Sequence, residues 1–546
     1  MSTNDNLRRR ALLGTRNGEA HECMVEYDGY PLTETNMSGY FGPACVTGVN
    51  WPGGVTTIGS YMFCRADFSN TTFSLPETLE KICQRAFSYV DGITNLSIPS
   101  SLEFIFDYAF SYSSSLTSIT FPSNFNCFLA TTAFGYCSGL TTINIPDSVA
   151  LNMEGYVFAG TAWLTNQTNN SSVYLGKNYY QFKGTMPSNT DLVLEEGTLS
   201  IAGYAFYSRT QLRSITIPDT VKYIGYYAFY GCTGLTSITI PENLSDDRTA
   251  IYTETVQGET SEKYPKSGST KTFSPFYNNT GITTINWNAK DFRPKGHSTA
   301  GYNFLASNQL KNVTTVNIGS SVETIPSYFI NGFSKVTSLT LPNSVTCIGV
   351  YAFYGCTGFT SITIPESVTT FGYLSKENTS IGTWSILYSS GITTLNYNAI
   401  AAHKYGNINR SSNLWGKDLT TINIGNQVQV IPAGFLGSNQ TSITSINIPS
   451  SVTTIEDYAF YQSKLTSIDL PASVISIGNY AFYGCSSLTS ITIRSTTPPT
   501  LDSSYSNTFP ITSQSYTIYV PASAVNTYKT TSGWSNWASK IQAIPS

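Results

Sequence analysis

The sequence predicts a repeat solenoid: an array of short parallel strands and short turns that grows by stacking and is capped at both ends. Three observations carry this prediction. One phrase keeps returning, as LTSITFP at 116–122, LTTINIP at 140–146, LRSITIP at 212–218, LTSITIP at 235–241, FTSITIP at 359–365 and LTSIDLP at 465–471. The prolines that close it hold a nearly fixed period: Pro76, Pro99, Pro122 and Pro146 lie 23, 23 and 24 residues apart, and Pro218–Pro241 and Pro342–Pro365 are each 23 apart. A second phrase keeps the same register, reading IGYYAFYGC at 224–232, IGVYAFYGC at 348–356 and IGNYAFYGC at 477–485. A period in this range marks a unit that cannot bury its apolar face alone and must stack on its neighbours.

Each phrase reads as one element. In Leu235-Thr236-Ser237-Ile238-Thr239-Ile240 the alternation points Ile238 and Ile240 inward and Ser237 and Thr239 outward. β-Branched Ile and Thr suit a pleated strand, and Pro241, lacking an N–H, ends the ladder. In the second phrase Phe229, Phe353 and Phe482 are the expected core anchors of a short turn or 3₁₀ helix. Ala228, Ala352 and Ala481 are small where that turn packs closely, and Gly231, Gly355 and Gly484 let the backbone swing into the next strand. Cys137, Cys232, Cys356 and Cys485 occupy one place in separated repeats and read as small buried hydrophobes. Ten cysteines without a C-x-x-C pair give no zinc or redox motif.

The strand phrase, its proline and the Ile-Gly-x-x-Ala-Phe-x-Gly-Cys ending together resemble the BspA-like (Treponema pallidum type) leucine-rich repeat family. The resemblance covers most of residues 51–495. It implies a leucine-rich-repeat array and a role in surface adhesion and in recognition of a host or partner. Proteins of this kind occur in gut Bacteroidales and their phages, and in parasitic protists.

The organisation follows from where the register fails. Residues 1–50 lack it and read as an N-terminal cap or anchoring segment; 51–495 hold the repeats; 496–546 read as a strand–helix cap built on Tyr516, Ile518 and Val520 and a helix from about Pro521. Between Pro241 and Pro342 lie 101 residues, and between Pro365 and Pro449 lie 84. Both intervals hold looser repeats, ITTINWNAKDF at 282–292 and ITTLNYNAIAA at 392–402, with insertions near 245–275, 290–308 and 376–415. Insertions in a solenoid tend to share one side and often bind.

Composition narrows the function. Charged residues are 11% of the chain and the net charge is −4, against roughly 25% charged in an average domain. No basic stripe of the kind nucleic acid requires is present, and no apolar run is long enough for membrane insertion. So few charges predict binding that salt hardly affects. No phrase for a phosphate loop, a zinc protease or a nucleophile elbow appears, and no cofactor or metal is implied. Of the three histidines, His297 and His403 fall in corresponding stretches after the looser repeats and read as solvated. We therefore expect a non-enzymatic recognition protein whose partner is a host-surface protein or glycan. The expected contacts are the outward strand residues Ser237, Thr239, Ser338, Thr340, Ser361, Thr363, Ser445 and Asn447. The insertions add Trp384, Tyr405, Arg410 and Trp415, since Trp, Tyr and Arg anchor interfaces.

Two routes to the surface follow. Only Ala11-Leu12-Leu13 follows the early positive charge, short of a secretory signal's apolar stretch. That favours a phage virion component, a fibre or decoration joined to other virion proteins through its N-terminal segment. The alternative is a leucine-rich-repeat adhesin at the surface of a bacterium or protist. Homo-oligomerisation is compatible with either.

Overall fold

The computed structural model describes residues 23–26, 46–51, 55–245, 274–292, 304–305, 310–373, 386–387, 390–404, 414–415, 418–437, 442–501, 507–510 and 515–546. The chain divides into two compact units, Met1–Leu235 with Asp247–Asn279, and Thr236–Asp246 with Thr280–Ser546. Both are built from the same three-sided turn of parallel-strand solenoid.

In the first unit one side is a column of two-residue strands, Thr57–Ile58, Lys81–Ile82, Phe104–Ile105, Phe128–Leu129 and Asn152–Met153, paired in parallel. A second side carries the recurring strand phrase as Asn95–Ser97, Ser118–Thr120 and Thr142–Asn144, with Leu96, Ile119 and Ile143 in register. The inward residues behave as the alternation requires: Ile238, Ile240, Ile362 and Ile364 of the second unit are buried, while Ser237, Ser361 and Thr363 are exposed.

The third side is the phenylalanine phrase, which forms a turn and not a 3₁₀ helix. Its amides alternate in destination. Arg85, Phe87 and Tyr89 donate to the carbonyls of Asp107, Ala109 and Ser111 one turn along, at 3.1, 2.7 and 2.8 Å, while Ala86 and Ser88 donate back to Cys83 and Arg85. A helix would point every amide one way. Here the chain reverses by placing two residues in the left-handed region, one two places before the buried Phe and one two places after it. Arg85 and Tyr89 flank Phe87 at φ 55° and 60°, and Tyr227 and Gly231 flank Phe229 at 54° and 67°. Among the described residues, 3₁₀ helix occurs in the C-terminal cap, at Ala522–Ala524 and Trp534–Lys540.

Inside, the phenylalanines stack. Phe63, Phe87, Phe110, Phe134 and Phe158 form a column with ring centroids 5.1, 4.9, 5.2 and 5.6 Å apart, and Phe206, Phe229 and Phe276 continue the pattern at 5.1 and 5.3 Å. Phe229, Phe353 and Phe482 are wholly buried, as expected of core anchors.

The cysteines are buried too, but they are not simply apolar. Cys137, Cys232, Cys356 and Cys485 each donate the thiol proton to a carbonyl of the preceding turn, that of Phe110, Phe206, Ile330 and Phe460, at 3.0, 2.9, 3.1 and 3.0 Å. Ser113 does the same to Phe87 at 3.0 Å and Asn279 to Phe229 at 2.7 Å. In these six turns the position holds a small donor, whereas Ala66, Val90 and Phe333 fill it with apolar side chains elsewhere. Burial pushes the Cys137, Cys232 and Cys356 thiols up to about 12 and that of Cys485 to about 11, which keeps the proton in place.

One departure from parallel pairing lies between Pro146 and Pro218. A short helix, Ala162–Thr165, is capped by Thr161, whose hydroxyl accepts from Leu164 N. An antiparallel hairpin follows, Ser171–Leu175 with Asn178–Lys183. Its two-residue loop places Gly176 first at φ 56°, as a type II′ turn requires. Asn178 ties the hairpin back to the array: its buried amide accepts from Leu151 N and Ser200 Oγ and donates to Val149 O.

In the second unit the looser repeats take full places in the strand column. Ser237–Ile240, Thr284–Trp287 and Thr315–Ile318 pair in register, as do Ser361–Ile364, Thr394–Tyr397 and Thr421–Ile424. The column is interrupted at 336–341: among the described residues, no backbone hydrogen bond joins this stretch to 315–318 or 361–364. At 443–448 a similar interruption keeps one bond, Thr466 N to Thr444 O. The turn side continues past both, through Ile330 N to Ala352 O and Leu436 N to Ala459 O. At the far end Thr517–Val520 and Ile541–Ala543 complete the last sheet. The helix Val525–Thr530 and the turn after it close the phenylalanine column, with Phe509 stacked on Phe482 and capped edge-on by Trp537 at 5.1 Å.

Candidate interaction surface

The outward strand residues form ladders of their own. Thr239, Asn286 and Asn317 are linked by amide hydrogen bonds of 3.1 and 2.8 Å, and Thr363, Asn396 and Asn423 by bonds of 3.3 and 2.9 Å. The threonine at the start of several strands donates to the preceding turn, as Thr117 does to Thr94 O and Thr489 to Thr466 O. Part of this polar face is thus engaged in holding turns together. Ser338, Thr340, Ser445 and Asn447 are exposed, though the interruptions leave them outside the paired strands. At the first interruption a groove of about 430 Å³ opens, and Thr340 and Thr363 line it with Asn343, Glu366 and Asn398.

The insertion candidates divide. Trp384, Tyr405 and Arg410 lie outside the described residues. Trp415 is a correction: it is 1% exposed, packed among Phe371, Tyr397 and Phe435 with centroids 5.1, 5.8 and 5.9 Å away, and serves as a core anchor. The 290–308 stretch likewise returns Phe292, Phe304 and Leu305 to the core. His403 does not simply sit in solvent, since its Nδ1 meets Glu456 Oε1 at 2.5 Å, and the other oxygen of that carboxylate accepts from Ala433 N.

The first unit carries a surface that the strand phrase does not announce. Two places after the buried Phe, where Gly231, Gly355 and Gly484 stand in other turns, three consecutive turns carry Tyr89, Tyr112 and Tyr136 at φ 60°, 62° and 61°. Their rings stack in parallel with centroids 4.6 and 4.7 Å apart. They remain 42, 39 and 46% exposed, placing them among the most exposed large hydrophobic side chains of the described residues. Arg65, the equivalent residue one turn earlier, holds its guanidinium 5.7 Å from the Tyr89 ring. At the other end Gly160 takes the place, and a Cβ there would come within 2.6 Å of Tyr136 Cδ1, so the glycine backbone covers that ring. Arg65, Tyr89, Tyr112, Tyr136 and Gly160 thus form a closed stack. Beside it, Arg85 lies 4.9 Å from the Tyr108 ring and 5.9 Å from Tyr61. Desolvation raises the Tyr112 phenol; Tyr89, Tyr136 and Tyr108 add to the effect and Arg85 opposes it.

This arrangement costs backbone energy. A non-glycine residue in the left-handed region costs about 1–2 kcal/mol. The tyrosines two places before the Phe bear the same strain, but they recur in both units, where Tyr458 stacks on Tyr480 at 4.9 Å, and so belong to the fold. Tyrosine two places after the Phe is confined to three neighbouring turns. The legible signal was a tyrosine at 23- and 24-residue spacing where other turns spell glycine or a polar residue such as Ser208, Asn278 or Gln462.

The BspA-type leucine-rich repeat region model matches residues 38–165, 177–293, 301–407 and 406–530. No curated protein sequence matches the chain. Among solved structures, a leucine-rich repeat protein from Bacteroides ovatus is 19% identical, covers 81% of this chain and 82% of its own, and has a TM-score of 0.35. A leucine rich cell surface protein from Faecalibacterium prausnitzii is 17% identical, with coverage of 73 and 87% and a TM-score of 0.24. A leucine-rich repeat protein from Eubacterium ventriosum is 19% identical, with coverage of 73 and 78% and a TM-score of 0.25. The family model spans most of the array, and the chain belongs to the BspA-type leucine-rich repeat family.

Proposed function

We propose that this chain is a non-enzymatic recognition protein of the cell-surface type, and that the tyrosine stack of its first unit is a binding face. The observation that carries the reading is a row of exposed, mutually stacked tyrosines held in the left-handed region, at a place where other turns carry glycine or a polar residue such as Ser208, Asn278 or Gln462. Three adjoining turns hold tyrosine where glycine would be free, and they present it to solvent. Residues held in strained backbone cluster at functional sites, and tyrosine offers large, rigid contact area at low entropic cost. The association of the BspA-type family with adhesion supports the same conclusion. The virion reading rested on the start of the chain, residues 1–22, which lie outside the described residues. Family membership adds nothing to it. The outward ladder and the 430 Å³ groove at Thr340 and Thr363 are a second candidate face.

Binding of the labelled full chain to intact bacterial and epithelial cells tests the proposal. Saturable binding that falls at least tenfold in a Tyr89→Gly, Tyr112→Gly, Tyr136→Gly triple variant supports it. Unchanged binding by that variant, with its fold intact by circular dichroism, refutes the tyrosine face.

A further inference from the structure

The tyrosine stack does not stand alone. Seven residues of one turn face, Tyr61, Arg65, Arg85, Tyr89, Tyr108, Tyr112 and Tyr136, all occupy the left-handed region, and two of them are arginines. Among the described residues neither guanidinium forms an ion pair with an acidic group, and each lies against aromatic rings. In a chain with 33 acidic and 29 basic residues, two arginines on one aromatic face that pair with no acidic group among the described residues form an uncompensated positive centre.

The stack also limits what form the partner takes. Because each ring covers the next, and Arg65 and Gly160 close the ends, the ring faces are hidden. What remains outward is ring edges and a row of phenolic hydroxyls, one per turn. Such a row donates and accepts hydrogen bonds but provides no apolar socket for a peptide's anchoring side chain. It suits a polar, hydroxyl-bearing polymer that extends along the rungs, and the two arginines require that polymer to be acidic. Arginine's planar fork matches a carboxylate or sulfate in two parallel hydrogen bonds.

We propose that this face binds an acidic polysaccharide, with Arg65 and Arg85 pairing its acid groups and the hydroxyls of Tyr89, Tyr112 and Tyr136 bonding its sugar hydroxyls. The proposal rests on the reading of the tyrosine face as a recognition surface and names its ligand class. It replaces the expectation of salt-indifferent binding with a salt-dependent one, because two charge pairs are made at an exposed site.

Titration calorimetry of the full chain with polygalacturonate, neutral dextran and poly-glutamate tests it. The expected result is binding of polygalacturonate alone, weakening several-fold between 50 and 300 mM salt. An Arg65→Gln, Arg85→Gln variant should lose at least tenfold in affinity. Tyr112→Phe, which keeps the ring and removes one hydroxyl, should lose two- to fivefold. Equal binding of poly-glutamate overturns the polysaccharide assignment in favour of charge alone. No binding of polygalacturonate, in a chain whose attachment to cells still depends on the three tyrosines, overturns the ligand class and leaves the recognition face standing. If attachment to cells does not depend on the tyrosines, the face itself fails and this proposal with it.

Discussion

Replacing Cys232 separates a hydrogen-bonding role from a packing role. Its side chain is wholly buried and its thiol donates to Phe206 O at 2.9 Å. Cys232→Ala removes one heavy atom, worth about 1 kcal/mol of burial. It also removes the thiol's bond to the Phe206 carbonyl, which keeps a bond from Arg209 N at 3.0 Å, so the loss is that of one hydrogen bond, about 0.5–1.5 kcal/mol. We expect a loss of about 2 kcal/mol. Cys232→Ser restores a donor of the kind Ser113 supplies to Phe87, and is expected within about 1 kcal/mol of the parent. A purely apolar pocket predicts the reverse order, since a buried hydroxyl without a partner costs about 1–3 kcal/mol. Urea unfolding followed by fluorescence, with amide exchange at 206–229, ranks the variants. A serine variant less stable than the alanine variant would sink the donor assignment.

Three further outcomes follow from the same structure. Stability should be flat from pH 7 to about 9 and fall above it: an unfolded thiol with the ordinary value of 9.0 releases a proton that the folded one holds to about 12, so each such thiol costs about 1.4 kcal/mol per pH unit in that window. Urea midpoints from pH 7 to 11 check this, and a midpoint unchanged from 8 to 11 contradicts it. Phe110→Ala should cost about 3–5 kcal/mol and reduce exchange protection across 87–158 while leaving 454–501 as before, because contacts run between neighbouring turns; a uniform loss along the chain would refute that. Trp415→Ala should also cost about 3–5 kcal/mol and leave cell attachment through the tyrosine face intact. A variant of full stability would return Trp415 to the surface.

Most of the fold was legible because the repeat states its chemistry many times over. Ile238, Ile240 and Phe229 announce their burial by alternation and recurrence, and the structure buries all three. What stayed hidden depended on backbone sign or on donors. Sequence shows that Gly231 permits a left-handed turn; it does not show that Tyr89 is forced into the same conformation. The thiol of Cys232 resembles a methyl group until the carbonyl of the turn before it is placed 2.9 Å away. Trp415 was misplaced because, like Phe304 and Leu305, it returns to the core inside a variable stretch without the phrase that marks the regular rungs. The hairpin at Gly176 obeyed a familiar local rule, and the long-range period drew attention away from it.

The interruption at 336–341 has a mechanical consequence. The recognition role proposed above would put the chain under tension, and in a stacked array tension is shared at each rung by the columns of bonds crossing it. Where all the columns are continuous the load is divided among them. At 336–341 the strand column's backbone bonds carry none of it, and at 443–448 a single backbone bond, Thr466 N to Thr444 O, is joined by the Thr466 hydroxyl on the same carbonyl. Those rungs are the compliant joints of the second unit, where stretching begins while the blocks between them stay whole.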